Sequence, residues 1–218
     1  MATVFVTGGT GYVGRALIGQ LLRRRHSIRA VVRKGSEQKL PPGCSVVIGD
    51  ALDERSYADH VAGCDAFVHL IGVAHPSPSK GAQFRSIDLV SIRAAVAAAT
   101  KAGIRHLVYV SVAHPAPVMK DYIAVRSEGE QMIYAAGLNA TILRPWYVLG
   151  PGHRWPLMLI PIYWLMERLP RTREAARRLG LVSLAQMVSA LVEAVESPAE
   201  RVRIMQVPDI RRALPTRG

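Results

Sequence analysis

The chain is poor in cysteine and in acid, and it has no apolar run of membrane length. Cys44 and Cys64 are the only cysteines among its 218 residues. Their spacing makes neither a disulfide framework nor a metal-ligand motif, so a stapled scaffold and a bound metal are both set aside and a reducing compartment is expected. Both side chains are expected to be small and buried. Acidic residues number 16 against 28 Lys and Arg, leaving a net charge of +12. Such an excess suits a phosphorylated cofactor, an acidic membrane surface or nucleic acid, or else a solvated basic surface with no partner. The arginines form no stripe interleaved with aromatics, and no recognition motif for nucleic acid is present. No charged start leads into an apolar stretch and cleavage site, since residues 2–6 already read as a strand, so the protein is expected to stay in the cytosol where it is made.

What is present is a core and a turn. Half the residues are hydrophobic, enough for one domain over 1–218, with 1–150 as a core unit and 151–218 as an appendage. The stretch Val4-Phe5-Val6-Thr7-Gly8-Gly9-Thr10-Gly11-Tyr12-Val13-Gly14 reads as strand, glycine turn and helix start. Gly8, Gly11 and Gly14 are spaced to make a tight turn, to admit a pyrophosphate to the main chain, and to pack helix on strand. The helix N-terminus adds free N–H groups and the positive end of its dipole. These features predict a dinucleotide cradle.

Strands are expected at Ile28 to Val32, Ser45 to Ile48, Asp65 to Leu70, Leu107 to Val110, Ala140 to Leu143 and Val202 to Val207. Helices are expected after the cradle, from Asp53, over Gln83 to Lys101, over Tyr122 to Ala136, and after a Ser183 cap. Only the last ten or so residues look frayed. Strand and helix alternate as in an α/β fold, a doubly wound parallel sheet with right-handed crossovers. Strand two ends Val31-Val32-Arg33-Lys34 with no acid until Glu37. A carboxylate there would select a ribose 2′-hydroxyl, whereas Arg33 and Lys34 suit a 2′-phosphate, so NADP(H) is expected rather than NAD(H).

With that turn in place the chain resembles the short-chain dehydrogenase/reductase superfamily, in its extended or atypical, epimerase-like branch of Rossmann folds. The resemblance rests also on Gly49-Asp50, on Leu70-Ile71-Gly72, on Ile87-Asp88 followed by the passage ending Val110-Ser111, and on Arg144-Pro145-Trp146-Tyr147-Val148-Leu149-Gly150-Pro151. Asp88 stands where asparagine is usual. By this resemblance the cofactor is contacted by Gly8, Gly9, Thr10, Gly11, Tyr12 and Val13, by Arg33 and Lys34, by Asp50 and Ala51 near the adenine, and by Leu70, Ile71 and Gly72. Val110, Tyr122, Arg126, Pro145 and Val148 complete that set.

The superfamily moves hydride with Ser, Tyr and Lys, the last two as Y-x-x-x-K; here the segment is Tyr122-Ile123-Ala124-Val125-Arg126, eleven residues after Ser111. Hydride transfer at carbon needs a matching proton move at oxygen, and a phenol of ordinary pKa about 10 serves at neutral pH when a nearby cation lowers it. The i,i+4 spacing puts Tyr122 and Arg126 on one helix face. A guanidinium can lower the tyrosine pKa and donate to ribose hydroxyls, but it does not release a proton as an ammonium does. The expected roles are proton donor or acceptor for Tyr122, polarisation of the substrate oxygen for Ser111, and ribose contact with tuning of Tyr122 for Arg126.

His75, His114 and His153 fall on loops that can face the same cleft, without a carboxylate at metal-ligand spacing. Trp155 to Met166 carries no charge, is broken by Pro161, and is followed by Arg168, Arg171, Arg173, Arg177 and Arg178. It falls short of the about 20 apolar residues that span a bilayer. Three uses compete for 155–178: the wall of a small-molecule pocket, a partner interface, or peripheral contact with a membrane. Because the superfamily the chain resembles places its substrate-binding elements after the Arg144-Pro145 segment, the pocket wall is the first expectation and membrane contact the second. Two functions follow: an NADP(H)-dependent oxidoreductase or epimerase-like enzyme on a small or hydrophobic substrate, and a non-catalytic NADP(H)-binding redox sensor or assembly subunit.

Overall fold

A computed structural model describes residues 1–150, 174 and 178–213 of the chain. The expected alternation yields β1 (Thr3–Thr7), α1 (Tyr12–Arg23), β2 (Ser27–Val32), β3 (Ser45–Ile48), α2 (Ala58–Val61) and β4 (Ala66–His69). The chain continues through α3 (Gly81–Gln83), α4 (Val90–Lys101), β5 (His106–Val110), α5 (Lys120–Ala135), β6 (Ala140–Arg144) and β7 (Tyr147–Leu149). After the undescribed stretch come β8 (Leu181–Ser183), α6 (Leu184–Glu196), β9 (Val202–Gln206) and α7 (Val207–Arg212). Seven strands form one parallel sheet in the order β3-β2-β1-β4-β5-β6-β9, while β7 and β8 pair separately. This is a doubly wound α/β sheet, and the strand order reverses between β1 and β4, where such sheets open a crevice at their carboxyl ends.

Both faces of the sheet are buried, as continuous apolar strands such as Val4-Phe5-Val6 require. On one side Leu17, Ile18 and Leu21 of α1 meet Met187, Leu191 and Val195 of α6. On the other, Tyr57, Phe67, Phe84, Ile92 and Ile133 gather beneath α4 and α5. The predicted cap residues do their work: Asp53 accepts from the Arg55 N–H, and Ser183 accepts from the Gln186 N–H while Gln186 accepts from the Ser183 N–H.

Departures from the sequence reading are local. Helix α3 begins at Gly81 and runs through a π-helical stretch, Phe84–Leu89, into α4. The expected frayed end holds α7, whose first turn is fixed by Pro208 and by Asp209 accepting from the Gln206 N–H. Arginine-rich sequence hid that short helix. Cys64 is buried as expected, but Cys44 is only half-buried beside Pro41, whose carbonyl accepts from its thiol. Strand β9 closes the sheet beside β6, and α6 packs on α1, so both elements are part of the central layers. His153 and the stretch 155–173 lie outside the described residues.

Candidate active site

The site is built from the turn after β1. Gly8 has φ +78°, a left-handed conformation that glycine adopts without strain, and a side chain there would collide with the Leu70 carbonyl. Its own carbonyl accepts from the Gly11 N–H at 3.1 Å. Gly14 brings α1 against that same carbonyl so closely that no Cβ fits. Gly11 differs: its φ of −69° is open to any residue, and a Cβ would have only the Gly8 oxygen within 4 Å. No side chain caps α1 and no acid lies in its first turn, which leaves the positive end of its dipole suited to an anion.

A cavity of about 560 Å³ opens in front of this turn. It is lined by Gly8, Gly11, Tyr12, Val13, Leu70, Gly72, Val110, Ser111, Tyr122, Arg126, Pro145 and Val148, all expected site residues. Gly9 is buried under the turn against Ile18 and Leu40, and Thr10 is half-buried beside it. Ile71 supplies a carbonyl to Arg126. Arg33 and Lys34 are exposed at the carboxyl end of β2. Asp50 is exposed at the same end of β3, its carboxylate accepting from the Leu52 N–H with Ala51 between. These four residues flank the crevice without lining the cavity.

Tyr122, Arg126 and Glu130 follow at i, i+4 and i+8 on α5, one stripe facing the strand ends. Phe84 packs on the Tyr122 ring at 4.8 Å between centroids, and the Arg126 guanidinium lies over the same ring, 5.2 Å from its centre. Arg126 is 4% exposed. It pairs with Asp88 at 2.6 Å and donates to the carbonyls of Val110, at 2.9 Å, and Ile71, at 3.2 Å. Burial works against its charge, but Tyr122, Tyr109 and Asp88 together hold its pKa above the ordinary value. Burial also pushes the Asp88 carboxyl up, against the pull of Arg126.

Ser111 is 2% exposed and donates to Glu130 at 2.6 Å. Glu130 is gripped by both Nε and Nη2 of Arg144 and has His114 3.7 Å away. Burial and then Arg144 lower the His114 pKa, favouring a neutral ring. A carboxylate only accepts, so Ser111 spends its one proton on Glu130 and turns lone pairs to the cavity. Glu130 and Arg144 were not among the expected site residues, although the i+8 position of Glu130 in the sequence carried the signal. His75, Met119, Trp146, Tyr147 and Met187 also line the cavity. Tyr12 stands near Tyr122; burial first, and that neighbour second, raise its pKa. Among the described residues no group of acids, histidines and cysteines could hold a metal.

The residues present fit a dinucleotide: an uncapped helix N-terminus, a glycine at which a Cβ would meet only one carbonyl oxygen, at 3.3 Å, and a cavity leading to Tyr122. The chain is similar in sequence to the ceramide reductase of Caulobacter vibrioides, 28% identical over 96% of this chain and 65% of that protein. It is also similar to the 4-hydroxy-2-methyl-3-oxo-4-farnesyl-3,4-dihydroquinoline-1-oxide ketoreductase of Stigmatella aurantiaca, 29% identical over 67% of this chain and 50% of that one. The chain thus spans between half and two thirds of these relatives. In fold it matches the Bordetella bronchiseptica enzyme WbmH in complex with NAD+, with TM-score 0.71 and 22% identity over 94% of this chain and 75% of that one. A UDP-galactose 4-epimerase gives 0.69 and 19% over 96% and 81%. Residues 8–153 match the model of the NAD(P)H-binding family, and the chain belongs to that family, with the Rossmann fold of the extended short-chain dehydrogenase/reductases.

Proposed function

We propose that this chain is an NADP(H)-dependent oxidoreductase or epimerase-like enzyme acting on a hydrophobic carbonyl or hydroxyl compound. The observation that carries this reading is the single cavity that joins the glycine turn to Tyr122 and Ser111. When bound, the nicotinamide supplies or accepts the hydride. Gly8, Gly11 and the first turn of α1 would hold the pyrophosphate, Asp50 the adenosine side, and Arg33 and Lys34 the 2′-phosphate.

Tyr122 is the proton donor or acceptor at the substrate oxygen, and Ser111, its own proton given to Glu130, accepts from a substrate hydroxyl beside it. The expected polarisation of a carbonyl oxygen by Ser111 needs that proton turned away from Glu130. Arg126 supports Tyr122 from its ring face. Met119, Trp146, Tyr147, Val148 and Met187 make the substrate side apolar. The names of the two relatives, one for a ceramide and one for a farnesylated quinoline, point the same way. The sequence of 155–178, apolar and then arginine-rich, suits contact between a cytosolic protein and the anionic membrane that holds such a substrate.

A second reading has its own observation. The Ser111 proton is taken by Glu130, and both terminal nitrogens of Arg126 are held by Asp88 and two carbonyls while its Nε stays unpartnered, an arrangement that also suits a non-catalytic NADP(H) sensor or assembly subunit. Measured oxidation of NADPH across long-chain ketones and keto-lipids separates the two. The enzyme reading expects turnover with at least one of these, falling about a hundred-fold in Tyr122→Phe. Binding of NADPH without turnover, together with an inert Tyr122→Phe, selects the sensor.

A further inference from the structure

Asp88 and Arg126 lie 38 positions apart, and each departs from the residue type that the resemblance expects at its place, yet they meet as one buried pair. Asp88 is 1% exposed. Its Oδ1 accepts from Arg126, and its Oδ2 accepts from the Val73 N–H at 3.0 Å. The other hydrogen bonds of the guanidinium go to Val110 at the end of β5 and Ile71 just past β4. Gly72 has no room for a side chain because Arg126 fills that space. One ion pair therefore ties together α5, the π-helical stretch and the two strand ends that border the cavity.

The π-helical stretch contributes twice. Its Phe84 packs against the Tyr122 ring, and its Asp88 fixes the guanidinium that lies over that ring. An extra residue in one helical turn shifts the side chains after it, a common device at functional sites. Tyr122 thus has its ring contacts set by one short segment of another helix.

We infer that Asp88 is a positioning residue for Tyr122, acting through Arg126: the pair fixes the guanidinium against the ring and commits it to the protein instead of to the cofactor's ribose. Asp88 also cancels most of the positive charge that Arg126 would otherwise present to the phenol, so the pair supplies a rigid support with little net field. The other titratable groups around the phenol are Tyr109 of β5, Tyr12 across the cavity and His75 in its lining. None of these sits between Arg126 and Asp88. The inference rests on the reading of Tyr122 as the proton-carrying group, and its test uses no substrate, so its failure is distinct from a failure to find turnover.

The test compares the full chain with Asp88→Asn and with Asp88→Asn/Arg126→Gln. The readouts are ultraviolet titration of Tyr122, taken as the difference from Tyr122→Phe in each background, and NADPH affinity by fluorescence. Loss of Asp88 alone leaves an uncompensated cation beside the phenol and is expected to lower the Tyr122 midpoint by about one pH unit, with the double variant returning it close to the parent value. The NADPH dissociation constant of the double variant is expected to stay within about three-fold of the parent, since the lost donors served the protein.

An unchanged midpoint in Asp88→Asn, or a drop of about a hundred-fold in NADPH affinity in the folded double variant, overturns the inference. Should Asp88→Asn fail to fold, the double variant decides against the parent. Release of the ring is expected to raise acetylation of Tyr122 by N-acetylimidazole about five-fold. An unchanged rate overturns the inference.

Discussion

A buried guanidinium with a carboxylate at 2.6 Å makes every neighbour part of the same arrangement, and Gly72 is the most exposed to change. A methyl group at residue 72 would displace Nη2 of Arg126 and leave Asp88 without its partner. Breaking a buried pair costs about 3–5 kcal/mol. Gly72→Ala is expected to lose an amount of that order in urea unfolding, a loss far above the few tenths of a kcal/mol of a tolerated exchange in a loop. Arg33 behaves differently because it is exposed at the end of β2. Arg33→Ala is expected to weaken NADPH about ten-fold and NADH little, measured by fluorescence titration. Equal loss for both nucleotides would remove the 2′-phosphate argument. Tyr122 and Arg126 could be found from sequence because i,i+4 spacing on a helix is local information. Asp88, the partner of Arg126, could not be paired with it in the same way, since only the packing of α5 against the π-helical stretch brings the two within hydrogen-bond reach.

Two strands hide histidines whose burial makes the sheet sensitive to acid. His69 at the end of β4 shares Nδ1 with the Thr7 hydroxyl at 2.8 Å and is 3.3 Å from the Ser91 hydroxyl. Burial, and then Arg126, lower its pKa from 6.5 to about 3. His106 at the start of β5 faces Thr141 at 3.0 Å and is lowered from 6.5 to about 4 by burial and then by Arg203. The folded state keeps both rings neutral where the unfolded chain protonates them. Stability from these rings is fully present above pH 6.5 and is lost as pH falls towards 3 for His69 and 4 for His106. The slope is about 1.4 kcal/mol per pH unit for each ring. Urea midpoints at pH 7.5 and pH 5 are expected to differ accordingly, and a flat profile would show that the rings already charge in the folded state. Element boundaries were legible where a cap or a glycine marked them, as at Ser183 and Gly137, whereas Asp53 caps a 3-10 turn, Glu54–Ser56, and α2 starts only at Ala58. The strands β7 and β8, of three residues each, and the π-helical turn left no periodic trace; they exist because distant segments pair or pack.

Across the whole molecule, the parallel order β3-β2-β1-β4-β5-β6-β9 brings the ends of β1, β4, β5 and β6 to one edge. That edge was foreseeable from alternating strands and helices, since right-handed crossovers leave few other arrangements. The use of 181–213 as central layers was not, because Val202 to Gln206 pairs with a strand about sixty residues earlier and only the closed sheet reveals it. The same edge holds the cavity, and its three turn glycines divide by cause. Gly8 and Gly14 are small because protein atoms crowd them, whereas Gly11 is small with mostly open space before it. At Gly11 the crowding is limited to one carbonyl oxygen 3.3 Å from where a Cβ would sit, and a ligand lying against the main chain supplies a further cause.

Gly11→Val therefore separates fold from binding. A valine at this backbone position is compatible with φ −69° and ψ 165°, and it places two methyl groups where the pyrophosphate would lie. The most direct measurement is an NADPH titration of the parent and of Gly11→Val, each checked by thermal unfolding. Saturable binding by the parent, with affinity lost by about a hundred-fold or more in a variant that still unfolds cooperatively near the parent temperature, is the predicted result. Undiminished NADPH binding by the folded Gly11→Val protein would contradict the cradle.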